Sequence, residues 1–540
     1  MRTLEEIRAW HAEVEARPYP ATLGALLDQA AERYGGREFL NFFERGESLT
    51  FAEARAQVDR LAGALHRIGV VNGSHVAVML PNLPAFPLTW LALARLGAVM
   101  VPVNNRYTAR ELAYVLEDSE ADYLLIHADH FAVLDALDPR PARITDERII
   151  TVGARREGSP HHWPDLLASG AADLTVPHPV AADDLLNIQY TSGTTGLPKG
   201  CRQTHRYWVL AGLASAAQVD FTVSRILCAQ SFYYLDPLIY HVMALVEGAA
   251  VYVANGMRAG RFMTWVREHA IDFVFLFEPI FKQPRHPDDG KNRLGLACLF
   301  GLTPENHAPL EARFATVARE WFGMTEIGSG LYMPMAFAHM VGSGSCGIPA
   351  PFREVSIRDA DTGHPVAPSQ VGELWVRGPG VMAGYYNRPE ANAESFRDGW
   401  FRTGDLFRRD ADGFYYIVGR LKDMIRRSAE NIAAREVETV LRSHPDIKEA
   451  AVVPVPDELR GEEVKAYVQL MPGRTRDDVP PEAIFAHCRR DLASFKIPRY
   501  LAYRDGFPYG PADRVEKHKL VAEGDDLTRD SFDRVDGVWR

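Results

Sequence analysis

The stretch Tyr190-Thr191-Ser192-Gly193-Thr194-Thr195-Gly196-Leu197-Pro198-Lys199-Gly200 constrains this chain more than any other. It follows the apolar run Leu185, Leu186 and Ile188, whose pattern reads as a strand. Three glycines permit tight turns, and four Ser/Thr hydroxyls, exposed amides and one lysine offer the donors a phosphate oxygen needs. Gly/Ser/Thr runs are often plain surface turns. The Pro-Lys-Gly ending is more specific, and it excludes a Walker A loop, which needs Gly-Lys followed by Ser or Thr.

The flanking sequence sets the fold class. Leu23 to Tyr34 and Phe51 to Ile68 carry apolar residues at helical spacing, and Leu88 to Leu96 reads as a helix ending at Gly97. His75 to Leu80 and Val99 to Val103 read as buried strands. Such alternation predicts parallel sheets covered by helices. A second α/β stretch holds the glycine-rich loop and runs to about Met335, and a strand-rich portion follows from Gly342 to Val418. At 540 residues the chain needs two or more domains. We expect a large domain over 1–418, a junction over 419–423 and a small domain over 424–540.

Bulk properties exclude several classes. A formal charge of -11 disfavours nucleic acid as the main partner. The five cysteines are scattered with no CxxC pair, which argues against a disulfide framework or zinc site and for a reducing compartment. The N-terminus has no apolar signal core, and the apolar region Val76 to Val103 is broken by Pro81, Pro84 and Pro87. No membrane span and a cytoplasmic location are expected.

Four further motifs follow in order. Gly301-Leu302-Thr303-Pro304-Glu305 precedes Trp321-Phe322-Gly323-Met324-Thr325-Glu326 by about twenty residues. Then come Trp400-Phe401-Arg402-Thr403-Gly404-Asp405-Leu406 and Gly419-Arg420-Leu421-Lys422-Asp423. Alone, each passes for a turn. Together with the loop they resemble the adenylate-forming superfamily of acyl-CoA ligases, luciferases and peptide-synthetase adenylation domains. The resemblance covers about Thr22 to Leu520 and is greatest to bacterial ligases of the crotonobetaine/carnitine-CoA ligase type.

The resemblance implies a large α/β N-terminal domain with a strand-rich subdomain and a small mobile α+β C-terminal domain. It implies ATP, Mg²⁺ and CoA as cofactors. Thr191, Ser192, Gly193, Thr194, Thr195 and Lys199 would hold the phosphates, with Gly301 and Thr303 at the nucleotide. Phe322 and Gly323 would face adenine, Thr325 a phosphate, and Glu326 the Mg²⁺, a hard cation suited to carboxylate oxygen. Asp405 would accept from both ribose hydroxyls, as a carboxylate can, and Arg420 would contact ribose or phosphate. Lys422 would be the pivot of the C-terminal domain, and Arg426 and Asn431 would lie around the nucleotide and the thiol channel.

The sequence departs from the family in three places. The C-terminal motif lysine is replaced by Arg514, and the glycine before it by Asp513. Arginine keeps the charge on a bulkier planar fork. Ala429 stands where relatives have glycine beside the thiol route, and Ser231 to Pro237 replaces the usual acid-pocket run, with Tyr234 at its histidine. The expected activity is ligation of a bulky apolar carboxylic acid to CoA through an acyl-adenylate. Two alternatives stay open: a ligase that only transfers a preformed acyl-adenylate to CoA and depends on a separate adenylating enzyme, and a nucleotide-binding pseudoenzyme. A homodimer is also left open.

Overall fold

The computed structural model describes residues 3–171, 179–191, 198–427, 430–458, 460–492, 494–510, 515–524 and 526–540. The described residues group into two compact units. The first holds 3–171, 179–191, 198–355 and 376–401, and the second holds 356–375 and those from 402 onward.

Helices of the first unit form where sequence cues agree. Thr22 caps Leu23–Tyr34 by accepting from the Ala25 amide at 3.1 Å. Thr50 and Glu53 form a reciprocal capping box that starts Phe51–Arg67. That helix buries Phe51, Ala54, Val58, Leu61 and Leu65, one apolar stripe along its length. The helix ending at Leu96 begins at Ala85, three residues before the expected start. Pro87 lies in its first turn, where a missing amide hydrogen costs nothing. It ends at Gly97, in the left-handed region at φ 69°, where a Cβ would meet the Asn72 side chain at 2.3 Å.

Two sheets organise the first unit. One runs His161–His162, Ile149–Val152, Tyr123–His127, His75–Met79, Val99–Pro102, Leu185–Thr191 and Lys199–Thr204. It is parallel except for its last pair. The other has nine strands, with a parallel centre of Ala250–Val253, Arg225–Cys228, Phe273–Leu276, Leu296–Leu299 and Val317–Met324. These central strands are apolar on both faces, as strands covered by helices must be. Register puts Phe275 beside Cys298 and Cys298 beside Arg319. Ile226 pairs with Phe273, so Cys228 is level with Phe275 in the same row.

The chain passes from one unit to the other within the strands Glu354–Arg358, Gly372–Arg377 and Trp400–Arg409. In the second unit, Trp400–Arg409 pairs antiparallel with Tyr415–Arg420. A seven-stranded sheet centred on Gly461–Leu470 follows, with the helices Ala434–Arg442 and Pro481–Asp491 over a core that includes Ile425, Val437, Leu441, Val452, Ile484 and Phe485. Among the described residues, no helix is long and apolar enough to cross a membrane.

Candidate active site

The glycine-rich stretch joins two antiparallel strands. Thr191 pairs with Lys199 and Tyr190 with Gly200, so the two flanking strands are antiparallel neighbours at one edge of the sheet. Ser192, Gly193, Thr194 and Thr195 lie outside the described residues. Its base is fixed by polar side chains that no linear motif announces. Tyr114 donates to the Pro198 carbonyl at 2.8 Å, Tyr190 donates to Asp118 at 2.7 Å, and Arg388 reaches both Asp118 and Tyr114. Gly200 is needed for packing, because a Cβ there would meet Ile188 at 2.5 Å. Its carbonyl accepts from the Tyr386 amide.

From this base Lys199 extends over the ring of Tyr385, its Nζ 4.4 Å from the ring centre. The Tyr385 hydroxyl in turn donates to Glu326 Oε1 at 2.9 Å. Burial first, then the Glu326 charge, raises the pKa of this hydroxyl well above the ordinary range, so it stays a donor. Glu326 is only 7% exposed. Lysine, tyrosine and glutamate thus form one chain of contacts, with the first two residues brought from segments far apart in sequence. Tyr385 was not among the residues singled out from sequence.

The strand Val317–Met324 delivers the aromatic-glycine motif. Phe322 is half-buried and pairs with Leu331. Gly323 lies so close to the returning strand that a Cβ would meet the Gly328 carbonyl at 2.6 Å. Gln203 and Tyr207 hold the Thr325 carbonyl at 2.9 and 3.0 Å, which fixes the residue before Glu326. Gly301 takes a left-handed φ of 69°, and the Gly301 and Leu302 amides donate to the buried Glu320 carboxylate at 2.9 and 3.1 Å. Glu320 therefore ties the two motifs together. With Arg319 beside it on the strand, Glu320 carried no distinguishing signal in the sequence. Thr303 precedes the helix Pro304–Phe314 and accepts from Asn306 at 2.7 Å.

In the second unit, Arg420 Nε lies 3.0 Å from Asp405 Oδ1, and Asp405 is almost fully buried. The Thr403 hydroxyl accepts from the Asp405 amide, and Glu373 accepts from the Gly404 amide and from Arg402. Lys422 is exposed on the short turn Leu421–Asp423. Partial burial, with Arg420 and Lys517 adding to it, lowers the affinity of its amine for a proton. Arg426 and Asn431 pair through their backbones; their side chains, like Ala429, Asp513 and Arg514, lie outside the described residues. Lys517 Nζ sits 2.6 Å from Glu438 and 3.8 Å from Asp423.

The first unit thus links a lysine to a buried carboxylate through one tyrosine, and the second unit separately holds a buried Asp–Arg pair. A family model described as AMP-binding enzyme matches residues 27–386, and one described as AMP-binding enzyme C-terminal domain matches residues 436–509. The chain belongs to the adenylate-forming superfamily.

This AMP-binding enzyme is 33% identical over 483 residues to feruloyl-CoA synthase from Amycolatopsis sp, across 88% of this chain and 94% of that one. It is 30% identical over 518 residues to crotonobetaine/carnitine–CoA ligase from Proteus mirabilis, across 92% and 98%. Among solved structures, o-succinylbenzoate coenzyme A synthetase from Bacillus subtilis, in complex with ATP and magnesium ion, is similar at TM-score 0.78 and 26% identity, across 92% and 99%. The AMP-binding enzyme is an acyl-CoA synthetase, an AMP-forming acid–thiol ligase.

Proposed function

We propose that this enzyme activates a bulky, largely apolar carboxylic acid with ATP and passes the acyl group to CoA. The contacts of Lys199 with the Tyr385 ring and of the Tyr385 hydroxyl with Glu326 carry this reading, since one side chain links a cation to a buried carboxylate. In the first step a carboxylate oxygen bonds to the α-phosphorus and pyrophosphate leaves. In the second the CoA thiol, losing its proton, bonds to the acyl carbon and AMP leaves.

Lys199 neutralises charge on the leaving pyrophosphate side, beside the amides and hydroxyls of Thr191 to Thr195. Phe322 stacks on adenine, Gly323 lets the ring approach, and Gly301 and Thr303 edge the base. Thr325 contacts the α-phosphate, while Asp405 and Arg420 hold the ribose. Magnesium binds proteins through one or two carboxylates plus substrate phosphates. Glu326, buried and oriented by Tyr385, fits that demand, and the ion would supply charge neutralisation at the phosphates. Arg426 and Asn431 border the nucleotide and thiol route, and rotation about Lys422 changes which step the site serves.

A second reading is favoured by one observation. The family's adenylation lysine is Arg514 here, and the nearest lysine in sequence, Lys517, is engaged by Glu438 and Asp423. Glu438 also accepts from the Val452 amide at 2.8 Å, so the pair is built into the C-terminal body. Lys517 is therefore a poor substitute, and adenylation rests on Arg514 or is lost.

Two parallel assays separate the readings: acyl-CoA formation from ATP plus each of a panel of acids, and from chemically made acyl-adenylates. Product in both arms is expected for the complete ligase. Product from adenylates alone would assign this chain the second step only, and Arg514→Lys should then restore some pyrophosphate release. Product from neither arm would rule out ligation.

A further inference from the structure

Lys199 stands on a stretch of backbone that is held on both sides. Before it, the Pro198 carbonyl accepts from the Tyr114 hydroxyl at 2.8 Å. After it, the Gly200 carbonyl accepts from the Tyr386 amide at 2.8 Å. The second hold belongs to a run of backbone bonds, since Ala383 donates to the Arg202 carbonyl and Arg202 to the Gly384 carbonyl at 2.8 and 2.9 Å. The first depends on a side chain. Proline has no amide hydrogen, so the carbonyl is the one backbone group through which Pro198 can be tied.

The Tyr114 hydroxyl has one proton to give and two acceptors near it. Tyr114 lies one turn before Asp118 on the helix Ala109–Asp118, and positions four apart share a face. Arg388 Nη2 donates to the Tyr114 oxygen at 3.0 Å and also bonds Asp118 Oδ1, so hydroxyl and carboxylate stand side by side on one nitrogen. A carboxylate is a stronger acceptor than a backbone carbonyl. The Asp118 side chain is 8% exposed, so water does little to weaken it. Left to itself it would draw the Tyr114 proton away from Pro198. Arg388 occupies Oδ1, and the Tyr190 hydroxyl donates to Oδ2 at 2.7 Å. With both carboxylate oxygens engaged, and its own oxygen accepting from Arg388, Tyr114 gives its proton to Pro198.

Arg388 comes from the segment that carries Tyr385, whose ring lies under the Lys199 amine. That segment is tied to the same helix end a second time, because the Tyr386 hydroxyl donates to Glu120 at 2.5 Å. The Arg388 side chain is 33% exposed and is not packed into the core, so a substitution there tests placement more than folding.

We propose that Arg388 is a positioning residue for the first half-reaction: by steering the Tyr114 proton to Pro198, it holds Lys199 where the pyrophosphate of ATP lies. This rests on the ligase reading above, in which Lys199 faces the leaving pyrophosphate. A charge preorganised for one spot loses about 100-fold in rate when its group shifts by about 1 Å. AMP lacks the two phosphates that Lys199 faces. A displaced lysine therefore weakens ATP and spares AMP.

The test measures Kd for ATP with magnesium and for AMP by calorimetry, and pyrophosphate release with the acid panel. It compares wild type, Arg388→Met, Tyr114→Phe and the double variant, each also combined with Lys199→Ala. Each single variant should lower the ratio of ATP to AMP affinity by about tenfold. Pyrophosphate release, where wild type shows it, should fall by about 100-fold. The double variant should be no worse than either single one, because both break the same relay. With Lys199→Ala in place, neither substitution should lower the ratio further. Arg388→Lys should cost less than Arg388→Met, since one ammonium still engages Asp118 but lacks the planar fork. Should Arg388→Met fail to fold, Arg388→Lys in the same cycle with Tyr114→Phe still decides. An unchanged ratio in the single variants, additive losses, or losses that persist beside Lys199→Ala overturn the proposal while the ligase reading stands. The expected losses of ATP affinity, in a protein that makes no acyl-CoA by either route, support the proposal and remove the ligase reading. Failure of wild type to bind either nucleotide overturns both.

Discussion

Glu326→Gln is expected to lower acyl-CoA formation by about 10²–10³-fold, the usual loss when one charged group facing a developing charge is removed. The glutamine side chain keeps the shape and an oxygen able to accept from the Tyr385 hydroxyl, now 2.9 Å away. The backbone is held independently, because the Glu326 carbonyl accepts from the Met382 amide at 2.8 Å. Folding should therefore survive while the charge disappears. The electrostatic effect is large because the group is 7% exposed and water screens it little. A magnesium titration of pyrophosphate release, or of adenylate consumption if only the second step operates, distinguishes the role. In the first case the half-saturating magnesium concentration should rise about tenfold, along with the lost turnover. A variant within threefold of wild type at every magnesium concentration would show that Glu326 does not hold the ion.

Much of the fold was legible because local signals and burial coincide. Thr22 and Thr50 are N-caps by chemistry, and the apolar stripes behind them run to Tyr34 and Arg67 with hardly a residue of error. The short buried strands were found as apolar runs, a residue or so long at Leu80 and Val103. The helix before Gly97 was begun late because prolines suggested a break where they occupy a first turn. The motif residues of the site were legible for a different reason, their order along the chain. What holds them was not. Tyr385, Asp118, Arg388, Glu320 and Glu373 act across separations of tens to hundreds of residues, and nothing in their own neighbourhoods distinguishes them.

Arg353→Met is expected to destabilise the first unit by roughly 2–5 kcal/mol and to depress activity with it. Arg353 is 7% exposed and its guanidinium donates to three carbonyls: Ile327 at 2.7 Å, Gly380 at 2.8 Å and Phe352 at 3.1 Å. Two effects oppose each other. Burial lowers its affinity for a proton to about 10, with Tyr207 and Glu15 easing the cost, so removing the charge returns about 3 kcal/mol at 1.36 per pH unit. Against that stand three charge-assisted bonds worth roughly 1.5–3 kcal/mol each, and carbonyls left buried without donors. The bonds win. The charge penalty applies at every pH below about 10, so wild type should gain stability only above that pH, as the folded protein loses its proton before the unfolded chain does. The position also explains the coupling to activity. Ile327 follows Glu326, and Gly380 lies two residues before Met382, whose amide holds the Glu326 carbonyl. One side chain thus spans the strand end that presents the carboxylate and the segment that leads to Tyr385. Gly380 leaves the space for it, since a Cβ there would meet Arg353 Nη1 at 2.2 Å. Denaturant melts of Arg353→Met and Arg353→Lys, read beside the magnesium titration, test this. Methionine should lower the midpoint more than lysine, and both should weaken the magnesium response. An unchanged midpoint in the methionine variant would mean that the three carbonyls find other donors.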